Sequence, residues 1–150
     1  MRVRELMSTG VGTIEVRASC RDAVDEMYRR KVRHLPVVGS DGALVGIVTD
    51  RDLRHHLFAR GPFEHGDRHV DDLLRTVSVS DIMSSPVISV APDEPLEVAA
   101  RLMLEGKIGS LPVVEGGRPV GIITETDLLR QICRADTCNP EVEYIVVSYP

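Results

Sequence analysis

The chain has 150 residues, a formal net charge of -5, 43% apolar residues and only 3% aromatic ones, with no Trp. That length suits about one average domain with an aliphatic core. The negative charge excludes a broad nucleic-acid footprint, which needs clustered cations, and no apolar run approaches the ~18 residues of a membrane span. The first ten residues, MRVRELMSTG, lack the apolar stretch of a signal peptide. Cys20, Cys133 and Cys138 are an odd set without a disulfide framework. Their spacing fits no zinc site, so unlinked thiols in a reducing, cytoplasmic setting are expected.

Taken in order, residues 11–16 read as a strand and residues 19–30 as an amphipathic helix. Its apolar stripe is Cys20, Ala23, Val24 and Met27, and its charged face places Asp25/Arg29 and Glu26/Arg30 four apart. Leu35-Pro36-Val37-Val38 is a second strand, whose proline belongs at a strand start or edge because it cannot donate to a ladder. Ser40-Asp41-Gly42 is a hairpin turn signal. Residues 45–48 form a third strand, which turns into a helix over about 50–59. Gly61-Pro62 breaks that helix, and Val70, Leu73 and Leu74 suggest a short amphipathic helix in the linker.

The pattern then repeats. Leu35-Pro36-Val37-Val38 recurs as Leu111-Pro112-Val113-Val114, an offset of 76, which also pairs Val3 with Val79, Met7 with Met83 and Lys31 with Lys107. Beyond the hairpin turn, Gly116-Gly117 in the second copy, the offset is 75 and pairs Gly46 with Gly121. The second copy thus has strands at about 87–90, 111–114 and 120–123. Its helices lie at about 95–106, with Pro95 at the first helical position, and 125–135. The order is β-α-β-β-α, twice, and the crossover favours parallel pairing of the first two strands in each copy. One copy of about 60 residues would bury only about 60% of its unfolded surface, so the two are expected to pack face to face around a shared core. The expected division is repeat 1 at 1–60, linker at 61–77, repeat 2 at 78–135 and a tail at 136–150, with a possible strand at 143–147. The fold class is α/β (α+β), two repeats in one pseudo-twofold module.

The most informative stretch is Gly46-Ile47-Val48-Thr49-Asp50-Arg51-Asp52, repeated as Gly121-Ile122-Ile123-Thr124-Glu125-Thr126-Asp127. Glycine and two β-branched residues read as a buried strand, and Thr-x-x-Asp as a helix start with Thr as N-cap. An ionised aspartate accepts hydrogen bonds and suits vicinal hydroxyls such as those of a ribose. Thr49 and Asp52, with Thr124 and Asp127, are therefore candidate ribose contacts. Aliphatic strand residues, Val37 and Val113 among them, offer apolar walls for a base. Phosphates need cations nearby: Arg33 and His34 precede one LPVV strand, and Lys107 lies just before Gly109-Ser110 ahead of the other. The first set is basic and the second small and polar, which points to two unequal sites. The competing reading is that each Thr-x-x-Asp is only a capping box.

The duplicated LPVV strand, the hairpin and the GhhTxxD turn, spanning about residues 1–135, resemble a pair of CBS domains, the Bateman module named after cystathionine β-synthase. That resemblance implies two clefts related by pseudo-twofold symmetry that bind AMP, ADP, ATP, S-adenosylmethionine or dinucleotides as regulatory ligands. It places ribose contacts on Thr49, Asp52, Thr124 and Asp127, and further contacts on Arg33, His34, Gly109 and Ser110. Ser8 to Val11 and Ser84 to Val87 would lead into the first strands, with Ser8, Val11, Ser84 and Val87 near the base. Gly109-Ser110 departs from the basic residue often found there. The resemblance implies a homodimer and, with no residues left for a host domain, regulation in trans of an unknown protein effector. The alternative is a ligand-free dimerisation or scaffold module.

Catalysis finds no support. No GxSxG elbow, GxxxxGK[ST] loop or paired catalytic carboxylates occur, and nothing supplies a nucleophile with a positioned base. His55, His56, His65 and His69 complete no metal sphere and read as exposed histidines. No metal and no catalytic cofactor are expected.

Overall fold

The computed structural model describes residues 1–58 and 67–134. In chain order its elements are α1 (Val3–Leu6), β1 (Ile14–Glu15), α2 (Cys20–Arg30), β2 (His34–Val38), β3 (Leu44–Thr49), α3 (Asp50–Phe58) and α4 (Asp67–Thr76). The second half holds α5 (Val79–Ile82), α6 (Leu96–Gly106), β4 (Ser110–Glu115), β5 (Arg118–Thr124) and α7 (Glu125–Arg134). The expected tail strand at 143–147, the predicted helix ends at Ala59 and Ala135, Cys138 and His65 lie outside the described residues, as does the side chain of His69.

Local chemistry sets the helix boundaries. The Ser19 hydroxyl accepts from the Asp22 backbone N–H at 3.1 Å, and the Asp22 carboxylate accepts from the Ser19 N–H at 3.0 Å, a reciprocal cap at the start of α2. Both long repeat helices end on a lysine in the left-handed region, Lys31 at φ 56° and Lys107 at φ 51°. Pro95 is the N-cap of α6 rather than its first helical residue. The predicted stripe faces inward: Cys20, Ala23 and Met27 are buried in α2, and Ala99 and Met103 in α6. Burial, with the charge of Asp81 adding to it, pushes the Cys20 thiol up to about 11, as suits an inert core cysteine. The charged face of α2 differs in detail from expectation. Asp25 pairs with Arg21 at 3.2 Å, while Arg29 grips Glu26 at 2.7 Å, which Arg30 also reaches, so the Asp25/Arg29 pair does not form. These pairs are exposed and contribute little.

In the first repeat β1 runs parallel to β2, with Ile14 opposite Val37, and β2 runs antiparallel to β3, with Pro36 opposite Ile47. In the second, β4 and β5 pair antiparallel, with Pro112 opposite Ile122. The expected first strands are shorter than the sequence implied. Residues 11–16 contribute only Ile14–Glu15, and 87–90 contribute a single parallel bridge from Val90 to Val113. The missing parts are drawn away to line clefts, as described below. The proline of each LPVV strand costs no ladder bond. Its partner, Ile47 or Ile122, turns its own N–H and C=O to the opposite side, so the imide nitrogen faces away from the hairpin partner.

The expected shared core is instead two cores, each completed by the opening segment of the other repeat. Val79 of α5 is fully buried with Cys20, Met27, Leu35, Val37 and Val48 of the first repeat. Val3 of α1 is fully buried with Met103, Leu111, Val113 and Ile123 of the second. Backbone hydrogen bonds tie the exchanges: Val79 N–H to the Ala18 carbonyl at 2.8 Å, and Val3 N–H to the Glu94 carbonyl at 3.0 Å. The linker helix α4 forms as predicted, burying Leu74 in the first core and joining α2 through Arg21–Asp71 at 3.0 Å.

Just beyond α1 and α5 the chain crosses the opposite repeat's last strand. Ser84 exchanges two backbone hydrogen bonds with Ile47, at 2.9 and 3.1 Å, and Ser8 does the same with Ile122, at 2.9 and 3.1 Å. The glycine opening each GhhTxxD motif permits this crossing. A Cβ at Gly46 would sit 2.5 Å from Met83 Sδ and 3.0 Å from the Ser84 carbonyl oxygen. At Gly121 the same distances to Met7 Sδ and the Ser8 carbonyl are 2.6 and 2.9 Å.

Candidate functional site

Each Thr-x-x-Asp forms the cap that the spacing predicts. Asp52 Oδ2 accepts from the Thr49 N–H at 2.8 Å and from its hydroxyl at 2.9 Å, while Thr49 Oγ1 accepts from the Asp52 N–H at 3.1 Å. In the second copy Asp127 Oδ2 accepts from the Thr124 N–H at 2.9 Å and hydroxyl at 2.7 Å, and Thr124 Oγ1 accepts from the Asp127 N–H at 3.3 Å. Capping uses one carboxylate oxygen of each aspartate. Asp127 Oδ1 has an arginine nitrogen of Arg130 at 4.0 Å, and Asp52 Oδ1 takes part in no hydrogen bond among the described residues. All four side chains are half-buried, and each pair lines the wall of a cleft.

The clefts are composite. The first, about 830 Å³, joins Thr124 and Asp127 to Ser8, Val11, Arg33 and His34. The second, about 440 Å³, joins Thr49 and Asp52 to Ser84, Val87, Lys107 and Ser110. The ribose candidates of one repeat therefore face the loops of the other. Gly109 borders both clefts, as do His34, Asp50 and Glu125, so the two open onto a common junction. Burial there is the main reason that His34 titrates below its ordinary range. Arg33 lowers it further, while Asp50, Asp52 and Glu125 act in the opposite sense.

Two expected base contacts are misplaced. Val37 and Val113 are fully buried in the two cores and line neither cleft. The LPVV strands are covered on both faces, so alternation exposes neither valine. The half-buried Ile47 and Ile122 stand at the cleft walls instead, and the second position of each GhhTxxD motif signalled them. Sequence reasoning also passed over Arg130, although it lies three residues after Asp127 on the same helical face, and Arg30, read only as a surface ion-pair partner. No cluster of three or more His, Cys, Asp or Glu side chains suited to a metal occurs among the described residues. No helix of the described residues is long and apolar enough to cross a membrane.

The family model for the CBS domain matches residues 3–59 and 79–134. The chain belongs to the CBS domain family. A CBS domain-containing protein of Dictyostelium discoideum is 37% identical over 130 residues, covering 85% of this chain and 88% of that one. Similarity extends to proteins named for enzymes: the homoserine O-acetyltransferase of Methanohalobium evestigatum is 32% identical over 131 residues, but the match spans only 24% of its length. Among solved structures, the CBS domain pair of protein MJ0100, in complex with 5′-methylthioadenosine and S-adenosyl-L-methionine, superposes with a TM-score of 0.74 at 28% identity, covering 89% of this chain and 96% of that one. CBSX2 in complex with AMP gives 0.71 at 30% identity, covering 90% and 98%. The mixed α+β architecture with two CBS repeats is thus shared with these pairs.

Proposed function

We propose that this CBS pair is a regulatory module that binds adenosine ligands (AMP, ADP, ATP or S-adenosylmethionine) in its two clefts and acts in trans on a protein effector. The observation that carries this reading is the repeated wall of each cleft: a half-buried Thr–Asp pair with a carboxylate oxygen left over after capping, beside an isoleucine and a serine-bearing loop. A free carboxylate oxygen suits ribose hydroxyls, and the isoleucine suits a base face. The adenosine compounds held by the two solved relatives support the same ligand class. On this reading Thr49, Asp52, Thr124 and Asp127 hold ribose, while Arg33, His34, Lys107, Gly109 and Ser110 line the cleft around the 5′ substituent, phosphate or other. Ser8, Val11, Ser84 and Val87 flank the base. The repeats divide at 1–60 and 78–135 around a linker, and two copies associate as a cytoplasmic homodimer.

A second reading, a ligand-free scaffold module, draws on the completeness of both caps, which would be conserved in geometry without any ligand. A thermal-denaturation screen with AMP, ADP, ATP and S-adenosylmethionine separates the two. A ligand at about 100 times its Kd adds roughly 2.7 kcal/mol, and each kcal/mol raises the midpoint of a chain this size by about 2–4 °C. A midpoint unmoved by every compound favours the scaffold.

A further inference from the structure

The two clefts are built from corresponding positions with contrasting chemistry. Through the repeat, Gly12 corresponds to Ile88, Arg30 to Gly106 and Arg33 to Gly109. In the first cleft a Cβ at Gly12 would overlap the Arg30 side chain. Gly12 does not have the positive φ found at Gly10, and the space its missing Cβ leaves is occupied by the Arg30 side chain. Arg30 is held over that space by Glu26 and by donating to the Gly10 carbonyl at 3.3 Å. In the second cleft the bulk is exchanged. Ile88 projects where the first cleft has glycine, and a Cβ at Gly106 would lie 3.3 Å from Ile88 Cδ1.

Charge follows the same division. Four cations line the first cleft, Arg30, Lys31, Arg33 and Arg130, against three carboxylates. Arg51 and Lys107 are the cations of the second, also against three carboxylates, and Ile88 and Ile108 add apolar wall. A phosphate gains charge-assisted, often bidentate bonds from arginines. In the second cleft it would be desolvated beside isoleucine with net negative surroundings.

We propose that the two clefts take different classes of nucleoside ligand: the Arg30- and Arg33-lined cleft a phosphate-bearing nucleotide, and the Ile88-lined cleft a nucleoside whose 5′ substituent carries no phosphate. This rests on the adenosine reading above. The probes are AMP and 5′-methylthioadenosine, titrated calorimetrically into the intact chain singly and together. Each is expected to bind once per chain, and saturation with one should leave the Kd of the other within threefold. Arg30→Ala and Arg33→Ala, both at exposed positions, should each weaken AMP at least tenfold and leave 5′-methylthioadenosine within twofold. Asp127→Ala should remove the AMP step and Asp52→Ala the 5′-methylthioadenosine step. Should either aspartate variant fail to fold, the parent competition and the two arginine variants still decide. Competition of the two compounds for one site, or equal weakening of both by the arginine changes, would overturn the division while leaving adenosine binding intact. Binding of neither compound to the parent would overturn the adenosine reading and the division with it.

Discussion

Replacing Gly46 by alanine tests whether the opening glycine of GhhTxxD exists for the crossing of the two repeats. The added methyl would sit 2.5 Å from Met83 Sδ, 3.1 Å from Met83 Cγ and 3.0 Å from the Ser84 carbonyl oxygen. The thioether can swing aside. The Ser84 carbonyl cannot, because it accepts from the Ile47 N–H at 3.1 Å while Ser84 N–H donates to Ile47 at 2.9 Å. Overpacking of this kind costs roughly 1–3 kcal/mol. Gly→Ala stiffens the unfolded chain, which offsets about 0.4–1 kcal/mol where the native conformation is unstrained. A net loss of about 1–2 kcal/mol is expected, lowering the midpoint by roughly 2–8 °C. Adding Met83→Ala should recover only part of it, since the carbonyl clash remains. Gly121→Ala should behave alike, meeting Met7 Sδ at 2.6 Å and the Ser8 carbonyl at 2.9 Å. The pair should differ in binding: Ser84 lines the second cleft and Ser8 the first, so each change should weaken the ligand of its own cleft. Urea and thermal unfolding give the stability, calorimetry the binding. Both variants within 0.5 kcal/mol of the parent would refute close approach as the reason for these glycines.

Three further outcomes are expected. His34 has a folded-state pKa below 6.5, so on acidification the unfolded chain takes up the proton first. Its contribution to stability is complete above 6.5 and is lost as pH falls from 6.5 toward the folded value; thermal midpoints of His34→Gln should fall less over that window than those of the parent, and equal slopes would refute the assignment. Lys31→Gly and Lys107→Gly relieve left-handed lysines at φ 56° and 51° and should each raise stability by up to about 1 kcal/mol; lower midpoints would show that these lysines are held by contacts that outweigh the strain. Leu129 and Ile132 of α7 are each 62% exposed, and Leu104 of α6 is 79% exposed; apolar helix surface of this kind suits a second copy, and light scattering at high micromolar concentration should give the dimer mass, a monomer mass counting against it.

Most of each repeat was legible because its signals are local. The caps at Thr49 and Thr124 involve residues three apart, and the buried stripe of α2 follows from helical periodicity alone. The duplication itself is a property of the sequence, and with it the expectation of two sites, one more basic than the other. Which residues share a site was settled by contacts distant in sequence. Ser8 bonds Ile122 and Ser84 bonds Ile47, and that exchange brings Arg33 to Asp127 and Lys107 to Asp52. A repeat reads the same whether its opening segment packs on its own core or on its twin's, so sequence periodicity could not reveal the exchange or the two cores it completes. Strand alternation likewise could not exclude Val37 and Val113 from the clefts, because which face of an LPVV strand is covered depends on α1, α5 and the helices above it. Those covers are assembled only when the two repeats fold together.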